Sequence, residues 1–220
     1  MPTVSVDLAY KRYCDVGVAL LETRNNRVRC EFHSVSFAGT PQAEALADYL
    51  AALCSDRGAA TLLIDGPQAW KGVDNGLVHS RLCERALALN TPAKTGLPET
   101  VKPANHTPFV AFSVSVFGAL LERGWTLYTG VPSDGRTLFE SFPLSAWRSL
   151  GVRALPAKSK TKPGDVEHRL GLLAKVVPLE CAGSPTHDEL QALVSGLAGV
   201  AFERGFAPGF AAAGRAPSLV

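Results

Sequence analysis

The sequence has no apolar run of the length that crosses a bilayer. The longest, residues 109–121 among them, fall short of the roughly 18 residues required, and Ser113 and Ser115 interrupt that one. The N-terminus lacks the basic start and unbroken apolar stretch of a secretory signal, because Asp7, Lys11, Arg12 and Asp15 break it up. A cytoplasmic protein with no membrane partner is expected. The cysteines, at positions 14, 30, 54, 83 and 181, form neither CxxC pairs nor an even set, which argues against a disulfide framework and a cysteine zinc site. A surplus of either charge is also missing. With 22 Lys and Arg against 20 Asp and Glu, the net charge is +2, so contact with nucleic acid has to come from a local patch.

What is present is a chain of 220 residues, 46% hydrophobic and 19% charged, enough to bury one sizeable core. One domain over residues 1–205 is expected, followed by a flexible tail rich in Ala, Gly and Pro at 206–220. Residues 3–9, 16–22 and 27–37 read as extended segments separated by polar turns, a three-stranded antiparallel start. Thr40-Pro41 pairs an N-cap with proline at the first helical position, and Leu46, Leu50, Leu53 and Cys54 carry that helix to about residue 56. Residues 60–64 are a short apolar run stopped by Asp65-Gly66-Pro67, as in a central strand buried on both faces. A helix around 78–89 leads into an insertion loop at about 90–108 that carries Pro92, Pro98, Pro103 and Pro108. Thr107-Pro108 opens the next helix, and 125–129 and 138–142 are extended. A brief helix at 144–150 and a turn bearing Lys158, Lys160 and Lys162 follow, with helices near 165–177 and 187–204 at the end. This order fits an α/β domain with a mixed sheet better than a doubly wound parallel one.

Four acids stand where apolar elements begin or end: Asp7, Asp65, Glu140 and Asp188. A carboxylate in an apolar strand is costly to bury unless it is paired, hydrogen-bonded or bound to a cation, so several together suggest a metal site. Oxygen ligands favour Mg2+ or Mn2+ over zinc.

The order of motifs resembles a domain-of-unknown-function family, number 429, regarded as predicted ribonuclease-H-like nucleases. The resemblance is carried by Asp7-Leu8-Ala9, Ile64-Asp65-Gly66-Pro67, Arg81-Leu82-Cys83-Glu84, Glu140-Ser141-Phe142-Pro143 with Trp147, and His187-Asp188-Glu189-Leu190-Gln191-Ala192-Leu193. It implies a ribonuclease-H-like mixed sheet flanked by helices. It also implies hydrolysis of a nucleic-acid backbone by a two-metal mechanism, with Asp7, Asp65, Glu140 and Asp188 as catalytic metal ligands and no small organic cofactor. Gln191 departs from the family pattern, in which an aspartate precedes the Ala-Leu of the last helix.

Plainer readings stand beside these. From pattern alone Asp7 reads more readily as a solvent-facing edge-strand residue; Asp65 also suits an Asx turn, and Glu140 the partner of a lysine or arginine. Thr186 to Glu189 has the form of a capping box, and on a helical wheel Asp188 falls roughly opposite the stripe Leu190, Leu193, Val194 and Leu197. That orientation predicts an Asp188 that points away from a site. Arg81, Lys158 and Lys160 are candidate phosphate contacts, although Arg81 pairs as readily with Glu84 or Glu189 and the lysines suit a solvated turn. His79, His106 and His187 lack metal-ligand spacing and receive no role. The competing functions are a catalytically silent scaffold of the same fold and an ATP-using kinase. The kinase ranks last, because residues 10–15 contain no glycine for a phosphate loop.

Overall fold

Strand β1 (Thr3–Asp7) alternates Val4 and Val6 with the smaller Thr3 and Ser5, and the two faces of the sheet follow from that alternation. The protein is described by a computed structural model over residues 1–86, 94–130 and 135–205. The remaining strands are β2 (Gly17–Arg24), β3 (Arg27–Ser34), β4 (Thr61–Asp65), β5 (Thr126–Leu127), β6 (Thr137–Ser141) and β7 (Leu179–Ala182). They form a seven-stranded sheet of order β5-β6-β4-β1-β2-β3-β7. Within it β2 runs antiparallel to β1 and β3, and the other pairings are parallel. This is the expected mixed α/β sheet. Asp7 therefore lies on a central strand, between β2 and β4, and not on an edge.

The helices are α1 (Ala43–Arg57), α2 (Leu82–Ala86), α3 (Thr107–Glu122), α4 (Pro143–Ser149), α5 (Asp165–Val176) and α6 (His187–Glu203). Helices α1 and α3 cover the face bearing Val4, Val6, Leu62, Ile64 and Leu138, with Leu50, Val116 and Leu120 packed on it. Helices α4, α5 and α6 cover the other face, where Leu21, Trp147, Leu173 and Leu193 are fully buried. Each such side chain contributes about 1.5–3 kcal/mol by leaving water. With the short 3-10 turn before it, α3 makes a stretch of 19 residues that by length and composition alone could cross a membrane, contrary to the expectation from its interrupted apolar run. Its buried positions, Val110, Ser113, Val116, Phe117, Ala119 and Leu120, pack into the core.

Several boundaries differ from the sequence reading. Helix α1 begins at Ala43 with Gln42 as N-cap, two residues after the Thr40-Pro41 signal, because the Tyr13 hydroxyl accepts the Gln42 backbone N–H at 2.8 Å. Strand β7 was not anticipated; its short segment alternates half-buried and exposed residues and pairs with β3 only. The expected helix at 78–89 is described only as α2. Residues 87–93, which include Pro92, and the tail 206–220 lie outside the described residues.

One packing feature sets up the site. A Cβ on Gly196 would sit 2.5 Å from Leu21 Cδ1, and one on Gly199 would sit 2.5 Å from Leu63 Cδ1 and Thr3 Cγ2. These glycines let α6 lie close against β1 and its neighbours. The helix runs from Glu203, hydrogen-bonded by Thr61 at one end of the sheet, to Asp188 beside Gly17 at the other.

Candidate functional site

The parallel register of β1 and β4 pairs Asp7 directly with Asp65, at the C-terminal ends of adjacent strands and on one face. That face belongs to α6. Thr3 and Ser5, two residues apart on β1, meet Gly199 and Gly196, so Asp7 meets the first turn of the same helix. Asp188 is there, 7% exposed, and one ligand atom each from Asp7, His187 and Asp188 lies within 4.8 Å of the others.

The first turn of α6 is fixed by a full capping box, with Thr186 and Glu189 satisfying each other's backbone N–H groups. Glu189 is thereby structural and Asp188 is left to the site, contrary to the expectation that it points away. The wheel argument fails at this end because the first turn sits over the end of the sheet. Gly17 permits the approach: a Cβ there would lie 2.2 Å from the Asp188 carbonyl carbon and oxygen.

The electrostatics are those of crowded like charges. Burial holds the Asp7 carboxyl well above its ordinary range; Asp65 adds to the shift, Asp188 adds further, and Lys158 opposes it. Burial pushes Asp65 up to about 7, against the pull of its hydrogen bond with Asp7 and with a further push from Glu140. Without a cation the Asp7–Asp65 pair therefore holds a proton between its carboxyls. One cation already touches the cluster. The Lys158 ammonium hydrogen-bonds Asp188 Oδ2 and donates to Asp15 Oδ1 at 2.7 Å, and Asp15 is gripped in turn by Arg12. His187 Nε2 donates to the Pro156 carbonyl at 2.9 Å, and Nδ1 lies 3.0 Å from Asp188 Oδ1. With an acceptor on each nitrogen, burial of the ring is outweighed by Asp188 and Pro156, and the His187 pKa rises.

The donor set fits a divalent ion. Two carboxylates, Asp7 and Asp188, converge with an imidazole nitrogen, Asp65 stands beside Asp7 on the next strand, and the other nitrogen of that ring is anchored to a backbone carbonyl, the usual support of a ligating histidine. His187 is the residue that sequence spacing missed; its one signal is its place beside Asp188, just after the cap. The cluster opens into a cavity of about 310 Å³, whose lining includes Asp7, Asp188, Lys158, Tyr10, His106 and Phe109.

The other expected residues sit beside the cluster. Glu140 pairs in register with Ile64, not Asp65, so it points to the opposite face. Its carboxylate is held by both terminal nitrogens of Arg81, one at 2.7 Å, and accepts the Gln68 N–H at 3.0 Å. Arg81 also donates to Glu84 at 3.2 Å, so three of its donors face carboxylates. Gln191 lies apart, its side-chain oxygen accepting the Trp147 indole N–H at 2.8 Å. Lys160 is exposed on the 3-10 turn with Lys158.

No curated protein matches the sequence. Two solved structures of Thermus thermophilus RuvC are similar: RuvC itself, 11% identical with a TM-score of 0.44, and RuvC in complex with a Holliday junction substrate, 12% identical with a TM-score of 0.45. Each similarity covers 94% of this chain and 98% of the other. The sequence model of the family described as "Protein of unknown function (DUF429)" matches residues 6–208. The chain therefore belongs to the DUF429 family.

Proposed function

We propose that this chain is a divalent-metal-dependent phosphodiesterase that hydrolyses a nucleic-acid backbone, with Mg2+ or Mn2+ held by Asp7, Asp65, Asp188 and His187. The observation that carries this reading is the convergence of Asp7, paired in register with Asp65, on the buried Asp188 at the mouth of one cavity. When bound, a pair of divalent ions stabilises charge on a scissile phosphate and lowers the pKa of an attacking water. The protein's own groups prepare for that. The Asp7–Asp65 pair gives up its shared proton to become a ligand set, and the Pro156 carbonyl aims His187 Nδ1 at the cluster. Lys158 leaves Asp188, stays tethered to Asp15, and turns its ammonium to the phosphate. Lys160 extends that cationic edge. Glu140, on the opposite face and held by Arg81, stays outside the ligand set, and Arg81 turns to substrate only if that bidentate pair opens.

The test is incubation with single-stranded, duplex and branched DNA and RNA, in Mg2+ or Mn2+ and in EDTA. Cleavage that requires the metal and disappears in Asp7→Asn and Asp188→Asn is expected. Cleavage that survives EDTA or either substitution contradicts the reading. A second reading, a catalytically silent scaffold, is favoured by one observation: the Lys158 ammonium already neutralises Asp188. It predicts no cleavage of any substrate and no metal binding.

A further inference from the structure

The cavity in front of Asp7 and Asp188 has a second wall that the ligand cluster does not use. Three aromatic rings form it. Tyr10 lies three residues beyond the end of β1, and His106 and Phe109 stand at the head of α3. The Tyr10 and Phe109 ring centroids are 6.2 Å apart at 61°, and those of His106 and Phe109 are 4.9 Å apart at 39°. All three are only half-buried, so π surface borders the same space as the carboxylates. Lys11 Nζ lies 5.6 Å from the Tyr10 ring centroid, and Lys158 also lines the cavity.

We propose that this wall receives one unpaired nucleobase next to the phosphate handled by the carboxylates, so that the substrate class is unpaired nucleic acid and not a continuous duplex. The inference rests on the phosphodiesterase reading for the position of that phosphate. Aromatic rings beside cations are the means by which proteins hold single strands, since every base offers a π face. In a duplex those faces are covered by neighbouring base pairs. At about 310 Å³ the cavity is at the small end of ligand sites, which run from about 300 to 1,000 Å³, a size for one planar base and not for a helix. Lys11 and Lys158, both in the cavity lining, supply contacts for the neighbouring phosphates.

The experiment is fluorescence anisotropy of the full chain with a labelled oligothymidylate and with a labelled duplex of the same length. It is run in EDTA, so binding is read without cleavage, and AMP serves as the free-nucleotide competitor. The single strand is expected to bind more tightly than the duplex. Tyr10→Leu and, separately, His106→Ala are expected to weaken it about tenfold, the loss of one stacking partner, with duplex binding and melting temperature unchanged. Phe109→Leu, which keeps the core contact and removes the ring, is expected to do the same. Equal affinity for both probes, or single-strand binding indifferent to all three substitutions, overturns the proposal. So does AMP binding that depends on Tyr10 while the oligothymidylate does not bind, since that makes the cavity a mononucleotide site. Titration of Mn2+ into wild type and Asp7→Asn separates the two readings. A normal metal response with no preference for single strands sinks only the base pocket, whereas a Tyr10-dependent preference without metal binding sinks only the phosphodiesterase.

Discussion

Replacing Gly17 with alanine adds one methyl group, and its consequences can be worked from the geometry. The new Cβ would lie 2.2 Å from the Asp188 carbonyl carbon and oxygen and 2.6 Å from the Glu189 backbone nitrogen. Ordinary contact begins near 3.4 Å, so the first turn of α6 has to withdraw by at least the difference of 1.2 Å. These are backbone atoms of a capped helix, with no flexible side chain to yield. Overpacking of this kind costs about 1–3 kcal/mol. In a chain of this size that is a fall in Tm of about 2–12 °C, at about 2–4 °C per kcal/mol. The same movement carries Asp188 and His187 away from Asp7. A misplacement of about 1 Å at a catalytic group can cost on the order of 100-fold in rate. Thermal melting with and without Mn2+ reads both effects: the variant should melt lower, and the gain in Tm on adding metal should shrink. A Gly17→Ala protein with wild-type Tm and wild-type metal response would refute the argument that this glycine exists to admit Asp188.

Other perturbations have definite signs. Because Asp7 and Asp65 bind protons more tightly folded than unfolded, their protonation contributes stability that is complete below the ordinary carboxylate value of 3.8 and is lost as pH rises through their raised folded values, about 7 for Asp65. The metal-free Tm, measured against that of the Asp7→Asn/Asp65→Asn double variant, should fall across this window, and a rise there contradicts the crowding argument. Divalent ions compete with those protons, so metal stabilisation should grow over the same pH range, as melts in Mn2+ from pH 5 to pH 8 will show. Lys158→Met removes the resident cation from Asp188 and should raise Mn2+ affinity several-fold, most strongly at low ionic strength. Unchanged or weaker binding by calorimetry would show that the ammonium does not compete. Gln191→Leu leaves the buried Trp147 indole N–H without its acceptor and should cost about 1–3 kcal/mol in urea unfolding, with metal binding unaltered. A loss of metal affinity in that variant would place Gln191 in the site after all.

The strands were legible where burial writes a pattern. The Val4 and Val6 alternation and the apolar run ending at Asp65 located β1 and β4, and with them two of the acids. Strand register was not legible, and register decides Glu140. Ser141 pairs with Asp65, and the one-residue offset sends Glu140 to the other face, into the grip of Arg81. Asp188 was misread because a helical wheel treats every turn alike. Only the close approach at Gly17, Gly196 and Gly199 shows that the first turn of α6 lies against the sheet. His187 carries no spacing signal, since its partners Asp7 and Pro156 are distant in sequence. Gln191, which reads as a missing ligand, is a hydrogen-bond partner of the core. The capping box, by contrast, depends on residues three apart and was readable as it stands.

The central claim is that Asp7, Asp65, Asp188 and His187 form a divalent cation site, and the most direct test is calorimetric titration of Mn2+ into wild type and Asp188→Asn at pH 8. The account predicts saturable binding to the wild type, with protons released to the buffer, and binding lost in the variant. No binding to the wild type, or equal binding to both proteins, would contradict it.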